Sequence, residues 1–176
     1  NWNVHTIFDG EKPDKFTVGK IIYSKMNDSE VSIQSVSGVE TKDQLIIEPT
    51  VCYHNYTFNV VAIMDGDFEG INCASITIPD TVISIENNPF KGCSGNVKIK
   101  IDKDGSFKEN NGLFVKDNTL VFCQPKCRDI IIPENINITR IGTNAFASCP
   151  DLKSINLESL MNVEPPTFEG QPGCKK

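Results

Sequence analysis

Residues 76–93 read ITIPDTVISIENNPFKGC, and residues 130–149 read IIIPENINITRIGTNAFASC. In the first phrase Val82, Ile85, Phe90 and Cys93 are separated by steps of three, five and three, and Ile138, Ile141, Phe146 and Cys149 repeat those steps in the second. An earlier copy keeps the opening steps with Val60, Ile63 and Phe68, and has Ile71 where the cysteine would fall. Ile99 and Ile101 follow Cys93 by six and eight residues, as Ile155 and Leu157 follow Cys149. Prolines close the strand-like phrases IIEP, ITIP and IIIP at Pro49, Pro79 and Pro133. Apolar residues recurring at fixed spacing are the signature of a stacked repeat.

A repeat this short cannot enclose its own apolar side chains. Stacking places each Ile on the Ile of the next coil, so that the core runs as columns along the axis. Phe90 and Phe146 are expected to close each coil from inside, with Cys93 and Cys149 packed beside them as small apolar residues. Alternation in Val97-Lys98-Ile99-Lys100-Ile101 predicts a short strand with one buried face. The outward positions of such strands are Ser75, Thr77, Lys98, Lys100, Ser154 and Asn156, small or charged residues that make a candidate contact face.

The pattern I-x-I-P, V-x-x-I-(G), A-F-x-x-C resembles the BspA-like leucine-rich repeats found on the surfaces of gut and oral Bacteroidetes and in some protozoa. Ile130 to Leu157 is the best-matching copy. The second copy departs at Glu86, where the family has Gly, and at Pro89, where it has Ala. The first copy is one residue short between Phe68 and Ile76 and has Cys73 where Leu is usual. The resemblance covers residues 45–170. It implies a right-handed, β-rich leucine-rich-repeat solenoid of short strands and turns with little helix, in about three to four coils. It also implies an N-terminal β-hairpin cap and an inserted β-hairpin. The expected division is a flexible leader over 1–15, the cap over 16–58, the solenoid over 59–170 with the insertion at 106–127, and a tail over 171–176.

Local patterns agree with that division. Phe16-Thr17-Val18 and Ile21 to Ser24 read as β, and Glu30 to Val36 alternates with period two after the polar turn at Met26 to Ser29. Asn111-Gly112 is a strong turn signal inside the insertion. Lys116 to Thr119 is a second turn, followed by the strand-like Leu120-Val121-Phe122. Met161 to Phe168 resembles a last strand, whose Pro165 and Pro166 suit an exposed end.

Composition bounds the function. The chain has 176 residues, 39% of them hydrophobic, which is enough for a packed core. A net charge of -6 argues against nucleic acid, whose phosphates need a basic stripe, and against adsorption to anionic membranes. No run of about 18 apolar residues is present, so a membrane-spanning segment is not expected. Seven cysteines are many for a cytosolic chain. Cys123 and Cys127, around Gln124-Pro125-Lys126, are candidates for a small-loop disulfide. C-x3-C without a second pair is a weak metal signal, and no metal or cofactor is expected.

Catalytic motifs are missing: there is no G-x-S-x-G, no H-E-x-x-H and no glycine-rich phosphate loop. Cys52 and His54 are the only neighbouring thiol and imidazole, and a strand would point both to one side. Asp65-Gly66-Asp67 and Asp102-Lys103-Asp104-Gly105 resemble calcium loops only in part. Glycosylation sequons begin at Asn27, Asn55 and Asn137. The expectation is a binding module rather than an enzyme, secreted or displayed at the cell surface and meeting a host or neighbour-cell protein. A mature chain with a lipid anchor upstream of residue 1 is one arrangement consistent with this. Glycan capture is the alternative, and it would need exposed aromatic platforms among Trp2, Tyr23, Tyr53 and Tyr56.

Overall fold

The computed structural model describes residues 13–156, apart from 65, 94, 95 and 126. The leader with Trp2, the phrase 161–168 and the tail lie outside the described residues. Where it is described, the chain is all strand and turn, wound into a β-solenoid of about five turns.

Strands β1 (Lys15–Val18), β2 (Ile21–Lys25) and β3 (Glu30–Val36) form an antiparallel meander, as the alternation at Phe16 to Val36 predicts. After β4 (Gln44–Ile46), β5 (Thr50–Tyr53) and β6 (Tyr56–Ile63) form a hairpin, and β6 lies parallel to β3. The expected boundary between cap and solenoid at residues 58 and 59 therefore falls inside one strand. Phe16 stacks on Tyr53 at 4.6 Å and lies 5.2 Å from Phe58, which closes this end with aromatic rings.

From β3 onward two parallel ladders carry the stack. One runs through β3, β6 and β8 (Ser84–Ile85), with Val31 opposite Val60 and Ile63 opposite Ile85. The other runs through β4, β7 (Ser75–Ile78) and β9 (Lys98–Ile101), with Leu45, Ile76 and Ile99 in one column. The chain then leaves the stack through β10 (Lys108–Asn110) and β11 (Leu113–Lys116) and re-enters it with β12 (Thr119–Cys123). β12 pairs in parallel with β14 (Arg140–Ile141), and β13 (Asp129–Ile131) with β15 (Ser154–Asn156). Each turn contributes one strand to each ladder, so β3 with β4, and β12 with β13, are turns as well. That is why about five are found where three to four were expected.

The repeat residues lie where stacking demands. Val60, Ile63, Phe68, Val82, Phe90, Cys93, Ile138, Phe146 and Cys149 are buried, and Ile85 and Ile141 are half-buried. Fully burying such a side chain contributes about 1.5–3 kcal/mol. Phe68 stacks on Phe90 at 5.1 Å, Phe90 lies 4.9 Å from Phe122, and Phe122 stacks on Phe114 at 4.2 Å. The cysteines do more than fill space. Cys93 Sγ donates to the Phe68 carbonyl at 3.0 Å and Cys149 Sγ to the Gln124 carbonyl at 3.2 Å, each reaching 25 residues back to the preceding turn of the solenoid.

Both expected hairpin turns form. Asn111 and Gly112 have φ of 51° and 80°, and Asp117 and Asn118 have 49° and 60°, the left-handed pairs that two-residue hairpin turns require. A Cβ on Gly112 would sit 3.3 Å from Gln124 Cγ and 3.4 Å from Cys127 Sγ. Gly112→Ala is expected to cost about 1–2 kcal/mol from conformation and crowding together, read as a lower urea midpoint at unchanged slope.

Candidate binding face

The outward side of the β4–β7–β9 ladder carries two rows. Gln44, Ser75 and Lys98 stand in register in one, and Ile46, Thr77 and Lys100 in the other. β13 and β15 form a separate parallel pair with the same alternation, Asp129 beside Ser154 and Ile131 beside Asn156. Between the rows Leu45, Ile76, Ile99 and Ile130 point inward and are buried. The strands thus present a flat face whose side chains are fixed by the backbone ladder beneath them.

Of the six positions expected outward, Lys98, Lys100, Ser154 and Asn156 are exposed and Thr77 is half-buried. Ser75 is a correction: it is 4% exposed. It stands on the middle strand, and the longer side chains of Gln44 and Lys98 flank it. Sequence reading missed Gln44, Ile46, Asp129 and Ile131. Ile46 and Ile131 are 57% and 70% exposed although both sit in isoleucine-rich, strand-like phrases. The signal was the alternation itself, because the middle residue of Leu45-Ile46-Ile47 and of Ile130-Ile131-Ile132 must face away from its neighbours.

Charge on this face is uneven. No ion pair involves Lys98 or Lys100 among the described residues. In the neighbouring pair of strands, Ser154 Oγ donates to Asp129 Oδ1 at 2.7 Å.

Other constellations resolve into structural roles. Cys52 and His54 do not alternate along one strand, because β5 ends at Tyr53 and His54 has φ of 51° in the turn. Cys52 Sγ lies 3.5 Å from Thr57 Oγ1, and the His54 ring packs edge-on against Tyr53 at 4.3 Å. Asp67 and Asp102 cap turns, accepting the Met64 and Asp104 amides, while Asp65 lies outside the described residues. Among the described residues, no three His, Cys, Asp or Glu side chains are placed to hold a metal ion.

The expected pairing of Cys123 with Cys127 is also corrected. Both are free thiols, Cys123 being buried on β12, and the Cys127 thiol is hydrogen-bonded to Cys149 instead. That bond, with burial, pushes the Cys127 thiol up. The bond to Cys123, with burial, pushes Cys149 up to about 12, and burial pushes Cys93 up to about 12. Buried thiols held protonated are poor nucleophiles. In alkylation at pH near 8, Cys52 is expected to react first among the described cysteines, and Cys93 and Cys149 only as the protein unfolds. The folded protein holds these protons more tightly than the unfolded chain, so their contribution to stability is complete below the ordinary thiol value of 9.0. It is lost as pH rises toward about 12, and urea midpoints should fall across that window.

Among the described tyrosines, Tyr23 is buried and Tyr53 and Tyr56 are half-buried. Tyr23 is 3% exposed, its hydroxyl pushed up by burial, and Tyr53 lies against Phe16.

A family model described as BspA type leucine rich repeat region, in six copies, matches residues 61–171. No curated protein matches the chain in sequence. Among solved structures, a leucine-rich repeat protein from Bacteroides capillosus is similar at TM-score 0.54 and 18% identity, covering 86% of this chain and 99% of its own. A leucine rich cell surface protein from Faecalibacterium prausnitzii is similar at 0.52 and 16%, covering 88% of this chain. The pneumococcal vaccine antigen PcpA is similar at 0.51 and 17%, covering 86% of this chain. The present chain spans 44% of the Faecalibacterium protein and 38% of the pneumococcal antigen.

Proposed function

The chain belongs to the BspA-type leucine-rich repeat family, and from that premise we propose that it is the binding module of a secreted or cell-surface protein, working by protein–protein contact through its outward strand face. The observation that carries this reading is the outward side of the strands: Ile46 stands out into solvent with Lys98 and Lys100 on the same side of the β4–β7–β9 ladder, and Ile131 stands out on the β13–β15 pair. Isolated exposed apolar residues are ordinary on any surface. These two stand on ladder-fixed strands of a face that solenoids use for binding. The partner is a host or neighbour-cell protein. A binding role rather than catalysis fits the described residues, where Asp67 and Asp102 accept turn amides and Cys93 and Cys149 bond to the preceding coil.

Surface display is supported by the likeness to the Faecalibacterium protein, itself a leucine rich cell surface protein. Glycan capture is less well supported. It relies on exposed aromatic rings, and Tyr23 and Tyr53 are packed into the cap.

A binding screen against extracellular-matrix proteins, mucins and complex glycans tests the reading. Saturable binding to a protein is expected, weakened about tenfold or more by Ile46→Glu with Ile131→Glu, which place charges where apolar contact is made. Binding indifferent to both substitutions would remove the face from consideration, and binding confined to glycans would favour the capture reading.

A further inference from the structure

β9 and β10 are both edge strands. β9 ends the sheet ordered β4-β7-β9, and β10 ends the sheet ordered β10-β11-β12-β14. Between them lies an open cavity of about 480 Å³, within the roughly 300–1,000 Å³ of ligand sites. The Gln124 side chain already shows what the β9 edge accepts. Its Oε1 takes the Ile99 amide at 2.9 Å, and its Nε2 donates to the Ile99 carbonyl at 2.5 Å, so one side-chain amide fills the place of a peptide unit in a ladder.

The cavity is also basic. Lys98, Lys100, Lys103 and Lys108 line it, and Glu109 is its only carboxylate. Glu109 is engaged, accepting the Gly112 amide at 2.7 Å. Lys98, Lys100 and Lys103 make no ion pair among the described residues, and Lys108 Nζ donates to the Lys103 and Gly105 carbonyls. On a chain of net charge -6, such a concentration of lysines is a local focus that draws in an anionic group the rest of the surface repels.

We infer that this groove binds an extended acidic peptide segment of the partner protein, laid along the edge of β10 and the Ile101 end of β9, beyond the rung that Gln124 fills, with its carboxylates on the four lysines. A sulfated glycan could answer the lysines. Only a peptide, however, also answers the backbone N–H and C=O groups of the β10 edge and of Ile101 at the end of β9. The inference deepens the strand-face reading and rests on it, since Lys98 and Lys100 belong to both.

The test is fluorescence anisotropy of a labelled peptide of about ten residues alternating Glu and Thr, a length that more than spans β9. A Lys–Thr peptide and a heparin-derived oligosaccharide serve as comparisons. The Glu–Thr peptide is expected to bind, to slow amide exchange at Ile101 and along β10, and to weaken as salt rises. Lys98→Glu with Lys100→Glu should weaken it about tenfold or more, Lys103→Glu alone should weaken it less, and Lys15→Glu on β1 should leave it unchanged. Failure of the Glu–Thr peptide to bind, or equal binding by the Lys98 and Lys100 variant with its melting temperature intact, would overturn the inference. So would tighter binding of the oligosaccharide without amide protection. A protein ligand lost on Ile46→Glu with Ile131→Glu, yet not displaced by the Glu–Thr peptide, would sink the groove and leave the face standing. Peptide binding with no protein ligand in the screen would do the reverse.

Discussion

Phe122→Ala is expected to lower stability by about 3–5 kcal/mol, among the largest losses any single truncation in this chain can produce. The fourth turn of the solenoid is abbreviated. Only residues 124–128 connect β12 to β13, against 86–97 between β8 and β9 and 142–153 between β14 and β15. It therefore has no turn of its own to place a phenylalanine between the layers. Phe122, wholly buried, fills that space from the strand, in contact with Phe90 on one side and Phe114 on the other. Removing the ring leaves a cavity between two aromatic neighbours that rigid ladders prevent from closing. Urea unfolding measures the loss, with Phe122→Leu as the milder comparison at about 1.5 kcal/mol or less. A loss below that for the alanine variant would mean the aromatic column is not continuous through the fourth turn.

The second large effect is expected from Asn88→Ala, at about 3 kcal/mol or more. Asn88 is completely buried and reaches across the abbreviated turn. Its Nδ2 donates to the Asn144 carbonyl at 2.9 Å, with the Ala145 carbonyl and Ser148 Oγ each at 3.3 Å, and its Oδ1 accepts the Phe90 amide at 3.2 Å. Alanine leaves those groups buried without this partner, which costs about 1–3 kcal/mol for a group left unsatisfied. It also loses the tolerance of asparagine for the φ of 51° found here. Asn88→Asp separates the contributions, since it keeps the acceptor and the backbone preference while removing the donor. If Asn88→Ala melts within a degree or two of the parent, the hydrogen bonds across the short turn are not holding it.

These two residues also show what could be read from the chain and what could not. The repeat core was legible because Val82, Ile85, Phe90 and Cys93 recur at the spacing of Ile138, Ile141, Phe146 and Cys149, and stacking makes such recurrence obligatory. The turns formed by β3 with β4 and by β12 with β13 were not, because neither carries the F-x-x-C phrase. The cap has a hairpin in its place, and the fourth turn has Phe122 and Gln124. Ile131 was not singled out, since hydrophobicity does not mark it as surface and only strand alternation turns it outward. Ser75 read as surface because its strand's neighbours on either side, which cover it, are set by register between distant segments. The groove between β9 and β10 was beyond the sequence for the same reason: two edges meet there only after the insertion has folded back.

The ladder interruption has a mechanical consequence. β8 and β9 bond only to the turn before them, and β12 and β13 take no backbone rung from β8 or β9, so no backbone ladder crosses from the third turn to the fourth among the described residues. Aromatic contacts and side-chain bonds hold the two blocks together there: Gln124 on Ile99, Asn88 on Asn144 and Ala145, and Lys116 on the Ile83 carbonyl. Under a pull along the stack these few bonds carry the load that several rungs share elsewhere. The molecule would part at that seam first, leaving three turns wound on one side while the other side yields.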